Sequence, residues 1–220
     1  MSKGKIIVIS GASGVGKSTV LKEVMKARQD LVFSVSATTR APRPDETDGV
    51  NYHFITRENF LDMVHNGEFL EYDEHHNNLY GTLYSAVKDA TQKGHVVLDI
   101  EPNGAMNVRS KYPDAILIFI MPPSWEALEA RLRGRGDTPE DQVRTRLDRA
   151  RWEIEQASKY DYQVVNDMVD TCVEEVLKII AEKKSFLVFH NSIPLLRTPY
   201  FEKTAILPNQ TVCVPNSCFF

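Results

Sequence analysis

Eight consecutive residues, Gly11-Ala12-Ser13-Gly14-Val15-Gly16-Lys17-Ser18, have the spacing G-x-x-x-x-G-K-S of a phosphate-binding loop. Glycines at these positions let backbone N–H groups turn inward around a polyphosphate, and a helix starting at the end of the loop adds the positive end of its dipole. Lys17 is placed to reach β- and γ-phosphates and Ser18 to hold Mg²⁺, so the first chemistry expected is nucleoside triphosphate binding. Other residues suited to phosphate chemistry lie far along the chain. Arg40 and Arg43 sit three apart in a proline-broken stretch, Ala41-Pro42-Arg43-Pro44. Guanidinium forks match phosphate oxygens two at a time, so this pair suits a second phosphate. Arg131, Arg133 and Arg135 alternate with glycines in Arg133-Gly134-Arg135-Gly136, and Arg144, Arg146, Arg149 and Arg151 follow. Glycines flanking a cationic turn suggest a mobile lid. Asp99 ends a hydrophobic run, where it is placed to act on Mg²⁺.

The elements that must position these groups are legible around them. Lys5 to Ser10 is a β-branched run of the kind a buried parallel strand needs, and from Thr19 on Leu21, Val24 and Met25 share one helical face. The loop therefore joins a strand to a helix. His95 to Glu101, Ala115 to Met121 and Tyr162 to Asn166 read as further core strands. They predict a parallel sheet whose ligands meet the carboxyl ends of its strands. Between Phe33 and Tyr72 the pattern changes to short strands and polar turns, which reads as an insertion. Phe33 to Arg40 alternates as one half-exposed strand, Thr56 caps a helix that Gly67 ends, and Phe69 to Tyr72 is another short strand. A helix follows from about Ser85 to Lys93, Ser124 caps a later one, and Val173, Val176, Leu177 and Ile180 mark a closing helix to about Lys184. The chain has 220 residues, 42% hydrophobic and 25% charged, with net charge −4. That suits one main globular core and does not suit a surface for long nucleic acid. No leader or membrane-length apolar run is visible, so a cytoplasmic location is expected, and Cys172, Cys213 and Cys218 read as reduced thiols.

In this order, Gly11 to Ser18, Ser36 to Arg43 (SATTRAPR), Tyr80-Gly81-Thr82, Asp99-Ile100 and Arg131 to Gly136 resemble the guanylate kinase family. The resemblance covers about Lys5 to Lys184. It implies an α/β fold: a P-loop NTPase core with a parallel sheet and flanking helices, an inserted GMP-binding subdomain and a small helical lid. The corresponding domain is 1–184, with core at 1–32, 95–130 and 152–184, insertion at about 33–94, lid at about 131–151, and a tail at 185–220 to which the sequence assigns no role. The implied reaction moves the γ-phosphate of MgATP to GMP. These two nucleotides are then the partners, Mg²⁺ is the cofactor, and neither a nucleic acid polymer nor a membrane is involved. Gly11 through Ser18, Thr19 and Asn166 would bind ATP, and Ser18 and Asp99 the metal. Lys17, Arg40, Arg131, Arg135 and Arg146 would stabilise charge on the transferring group. Ser36, Arg40, Arg43, Glu46, Tyr52, Glu71, Tyr80, Thr82 and Glu101 would hold GMP. Glu71 has a chemical reason to read the base, because guanine presents N1–H and its 2-amino group side by side as donors.

The chain departs from the family pattern in places. Where the family reads D-I-D-x-Q-G, Asp99-Ile100-Glu101-Pro102-Asn103-Gly104 stands here, and where it often reads G-N-Y-Y-G, Asn77-Asn78-Leu79-Tyr80-Gly81 stands. His75-His76 is not read as a metal site, since adjacent side chains on an extended segment point apart. The competing readings are a non-catalytic interaction module and a P-loop kinase for another acceptor. A module has no need of Gly16-Lys17-Ser18 with Asp99 and the lid arginines, so the enzyme is favoured.

Overall fold

The structure, a computed structural model, describes residues 4–75, 77–134 and 139–182. In chain order its elements are β1 (Ile6–Gly11), α1 (Lys17–Ala27), β2 (Leu31–Phe33), β3 (Ala37–Thr38), β4 (His53–Phe54), α2 (Arg57–His65), β5 (Phe69–His75), β6 (Asn78–Leu83), α3 (Tyr84–Lys93), β7 (His95–Asp99), α4 (Pro102–Lys111), β8 (Ile116–Met121), α5 (Trp125–Arg133), α6 (Glu140–Glu155), β9 (Tyr162–Val165) and α7 (Val169–Glu182).

Every residue of β1 is buried, as a strand covered on both faces requires. It lies at the centre of a five-stranded sheet ordered β2-β7-β1-β8-β9, all of whose pairings are parallel. Alternation along β1 divides the core. Ile7 and Ile9 join Val20, Leu21 and Val24 of α1 and Val173, Val176 and Ile180 of α7 on one face. On the other, Ile6 and Val8 meet Val87 and Ala90 of α3 and Ala105 and Val108 of α4. Because β7 and β8 flank β1, the turns after β1 and β7 open at the same carboxyl edge of the sheet, where doubly wound proteins bind ligands.

The insertion builds a second sheet ordered β4-β3-β6-β5, with β3 and β5 antiparallel to β6. Its small core is Ala37, Phe60, Phe69 and Leu79, with the Phe60 and Phe69 rings stacked 4.3 Å apart. A Cβ on Gly81 would stand 2.7 Å from the Phe69 ring, so glycine there admits that stack.

Two expectations are corrected. Phe33 to Arg40 is not one strand: β2 ends at Phe33 within the main sheet, and β3 starts at Ala37 in the second. The expected insertion at about 33–94 also takes in α3, whose Val87 and Ala90 pack with the main core. The expected face of α1 holds: Leu21 and Val24 are buried with Val20, and Met25, partly buried, packs against the same cluster. The helix α4 was not anticipated at all; Pro102 at its first turn starts it, and Ala105 and Val108 are its inward positions. The predicted caps hold: Thr56 Oγ1 accepts from Asn59 N–H, Ser124 Oγ from Ala127 N–H, and Gly67, at φ 70°, closes α2 through Gly67 N–H to the Val64 carbonyl. Asn77, where the family has glycine, takes φ 61° at the β5–β6 turn, a conformation Asn tolerates. Cys172 is buried in α7 as a free thiol; Cys213, Cys218 and the tail lie outside the described residues. Among the described residues no helix is long and apolar enough to cross a membrane.

Candidate active site

Gly14 and Gly16 take φ 86° and 93°, the left-handed conformation that closes the loop around its own amides. Gly16 is the N-cap of α1, no side chain caps that helix, and its first turn carries no acid. The orphan N–H groups of the first turn are thus left to an anionic ligand. Gly11 through Thr19 line one cavity of about 180 Å³, which Glu101 and Glu153 complete.

A second cavity of about 200 Å³ adjoins it, lined by Lys17, Ser36, Tyr52, Glu71, Asp73, Tyr80, Gly81, Asp99, Ile100 and Glu101. Seven of the residues picked out in the sequence, Lys17, Ser36, Tyr52, Glu71, Tyr80, Asp99 and Glu101, meet here. They come from both sheets. Lys17 Nζ is paired with Asp99 Oδ1. Burial works against the lysine charge, but Asp99 and Glu101 outweigh it and hold the ammonium above its ordinary range.

Glu71 lies on an edge strand yet is only 6% exposed, because α4 covers β5. Its Oε1 accepts the Thr82 hydroxyl at 2.6 Å, and its carboxylate lies so close over Gly104 that a Cβ there would stand 2.3 Å from Oε2. Burial pushes the Glu71 carboxyl up to about 7, with the Thr82 hydroxyl opposing the shift. A buried carboxylate facing the cavity suits a ligand that presents paired donors.

Beside this cavity Arg40 is held flat by Glu46 through two 2.8 Å bonds and donates a third, also 2.8 Å, to the Ala41 carbonyl. Its guanidinium carbon lies 5.5 Å from the centre of the Tyr52 ring, which meets the Tyr80 ring edge-on at 6.0 Å. Glu46 also accepts Arg43 N–H at 2.8 Å, and the Arg40 guanidinium holds its carboxyl well down, at about 2. Glu46 therefore faces the arginines. The structure places Arg40 at the tyrosine pair and fixes Arg43 through its backbone.

The arginines of the expected lid reach the phosphate loop. Arg131 donates to the carbonyls of Asn166 at 3.0 Å and Val15 at 3.3 Å, and Arg146 Nε lies 3.4 Å from Ser13 Oγ. Arg135 lies outside the described residues. Asn166 is 3% exposed, and its amide donates to the Val15 carbonyl at 2.8 Å, so it props the loop from beneath. Sequence reasoning missed Asp73 and the pair Arg149 and Glu153. Asp73 shares a strand face with Glu71 two residues earlier, a signal that was available. It accepts from Asn103 Nδ2 at 3.3 Å.

A glycine loop between a central parallel strand and a helix whose N-terminus no side chain caps, with a second sheet facing it, defines the P-loop NTPase fold. The guanylate kinase family model matches residues 3–183. Guanylate kinase of Prochlorococcus marinus is 46% identical over 80% of this chain and 96% of its own length, and that of Thermotoga maritima 45% over 83% and 89%. The crystal structure of guanylate kinase from Anaplasma phagocytophilum superposes with a TM-score of 0.70 at 33% identity, covering 84% of this chain and 89% of that one. The chain belongs to the guanylate kinase family.

Proposed function

We propose that the protein transfers the γ-phosphoryl group of ATP to GMP, giving ADP and GDP. The observation that carries this reading is the second cavity, where Lys17 of the phosphate loop and Asp99 of the core meet Ser36, Tyr52, Tyr80 and Glu71 of the second sheet. Phosphoryl transfer asks for two nucleotides in line, water excluded and positive charge around the moving group. The loop amides from Gly14 to Ser18 and Lys17 would hold the donor. Arg40, with its plane set by Glu46, and the hydroxyls of Tyr52 and Tyr80 would hold the acceptor phosphate, and Arg43 would add charge at its edge. Ionised Glu71 would accept guanine N1–H and the 2-amino group, with Ser36, Thr82 and Glu101 as further polar partners of the base. Arg131, Arg135 and Arg146 would balance charge redistributed during transfer.

The donor set fits Mg²⁺: the Ser18 hydroxyl and the Asp99 carboxylate are hard oxygen ligands at the loop, and magnesium needs few protein ligands because it keeps waters and phosphate oxygens. Bound there, the ion would neutralise phosphate charge. Asn166 would act on the donor through the loop, its amide donating to the Val15 carbonyl. The test is steady-state ADP production from MgATP with GMP, dGMP, AMP, UMP and dTMP in turn. Preference for GMP that Glu71→Ala removes is the expected result; turnover of another monophosphate, or of none, overturns the reading.

A further inference from the structure

One helix, α6, touches both halves of the site through a buried charge cluster that the scheme above leaves without a task. Glu153 is 2% exposed. Its Oε2 accepts the Ser13 N–H of the phosphate loop at 2.8 Å and its Oε1 accepts Arg149 Nε at 2.9 Å. The Arg149 guanidinium stacks on Trp152, 4.5 Å from the ring centre, and its Nη2 lies 3.8 Å from Glu101 Oε2. Glu101 is a wall of both cavities. A nearly buried carboxylate beside a polyphosphate site is unfavourable by itself, since it repels the ligand and is desolvated. Its place becomes intelligible when its oxygens hold something. Here they hold the loop, at an amide before the Gly14–Ser18 segment whose N–H groups face the donor, and they hold Arg149, whose charge sits between two carboxylates.

We propose that Glu153 and Arg149 are positioning residues that keep the phosphate loop and Glu101 in one register, so that donor and acceptor cavities are aligned from α6. The acceptor half of this statement rests on the GMP reading; the donor half needs only the loop. Truncating either partner leaves a buried charge without its mate, which costs more than a surface pair does.

The test uses the full chain with Glu153→Gln, Arg149→Met and Arg149→Lys, measuring MgADP and GMP dissociation constants by titration calorimetry, with circular dichroism and melting to confirm folding. Glu153→Gln is expected to weaken MgADP about tenfold without weakening GMP, the loss expected for one charge-assisted hydrogen bond. Arg149→Met is expected to weaken both ligands about tenfold, and Arg149→Lys, which keeps the charge without the fork, to recover part of each loss. Folded variants that melt lower but bind both ligands within about twofold of the parent overturn the proposal, because the cluster then serves stability alone. If the parent binds MgADP but not GMP, the acceptor reading fails, and the Glu153→Gln arm still decides whether α6 positions the loop.

Discussion

Replacing Glu71 by glutamine separates what this side chain costs the fold from what it gives the ligand. Burial raises its carboxyl from 4.5 to about 7. Between those values the native chain holds more protons at this site than the unfolded chain, so its contribution to stability is full below pH 4.5 and is lost as pH rises through 7. At about 1.4 kcal/mol per pH unit, the interval amounts to about 3 kcal/mol as an upper bound. Glutamine keeps the shape and an acceptor for the Thr82 hydroxyl while removing the charge. Glu71→Gln should therefore be more stable than the parent at pH 8 by about 1–3 kcal/mol, and the two should converge near pH 5. GMP binding should move the other way. Two charge-assisted hydrogen bonds are lost and an amide NH₂ faces the donors of guanine, a weakening on the order of a hundredfold or more. Urea unfolding at pH 5 and pH 8, followed by fluorescence of Trp125 and Trp152, measures the first effect and calorimetric GMP titration at pH 8 the second. A variant less stable than the parent at pH 8, or one binding GMP within about threefold of it, would refute the reasoning.

Gly104→Ala places a Cβ 2.3 Å from Glu71 Oε2 and 2.9 Å from its carboxyl carbon, so the carboxylate must move. The GMP dissociation constant should rise about tenfold or more while that for MgADP stays put, which the same calorimetry reads. Arg40→Lys keeps the charge but gives up the two-pronged bond to Glu46; steady-state kinetics should show KM for GMP rising about tenfold with KM for ATP unchanged.

What the sequence made legible was local. The strand, loop and helix from Ile6 to Ala27 follow from a β-branched run, spaced glycines and apolar positions on one helix face, all within one short window. Arg40 could be picked out by type, and Glu46, Tyr52 and Tyr80 through the family resemblance, yet not the pairing that commits Glu46 to Arg40, which a turn brings together. The burial of Glu71 was hidden for a stronger reason. On an edge strand it should face water, and the helix that covers it has only Ala105 and Val108 as inward apolar side chains beyond its first turn, too few to show a period. The contact of Glu153 with Ser13 spans 140 residues. The i, i+4 spacing of Arg149 and Glu153 was visible, but such a pair on a helix is usually solvated. Only the tertiary fold makes it a buried tie.

The shared walls of the two cavities carry the last step. Lys17 and Glu101 border both, so the proposed donor and acceptor spaces would meet across one ammonium and one carboxylate. That nearness is what in-line transfer needs. It also sets a charge problem, because Lys17 is already paired with Asp99. In the proposed reaction the donor would compete with Asp99 for Lys17, whose ammonium has two further N–H donors. A triphosphate would supply the exchange, its oxygens taking up Lys17 donors while the loop amides take the remaining charge. Asp99 would then be available at the junction of the cavities, where a hard oxygen ligand is wanted. The pair would thus keep the Lys17 ammonium partnered before nucleotide arrives and leave both groups to the donor once it is bound.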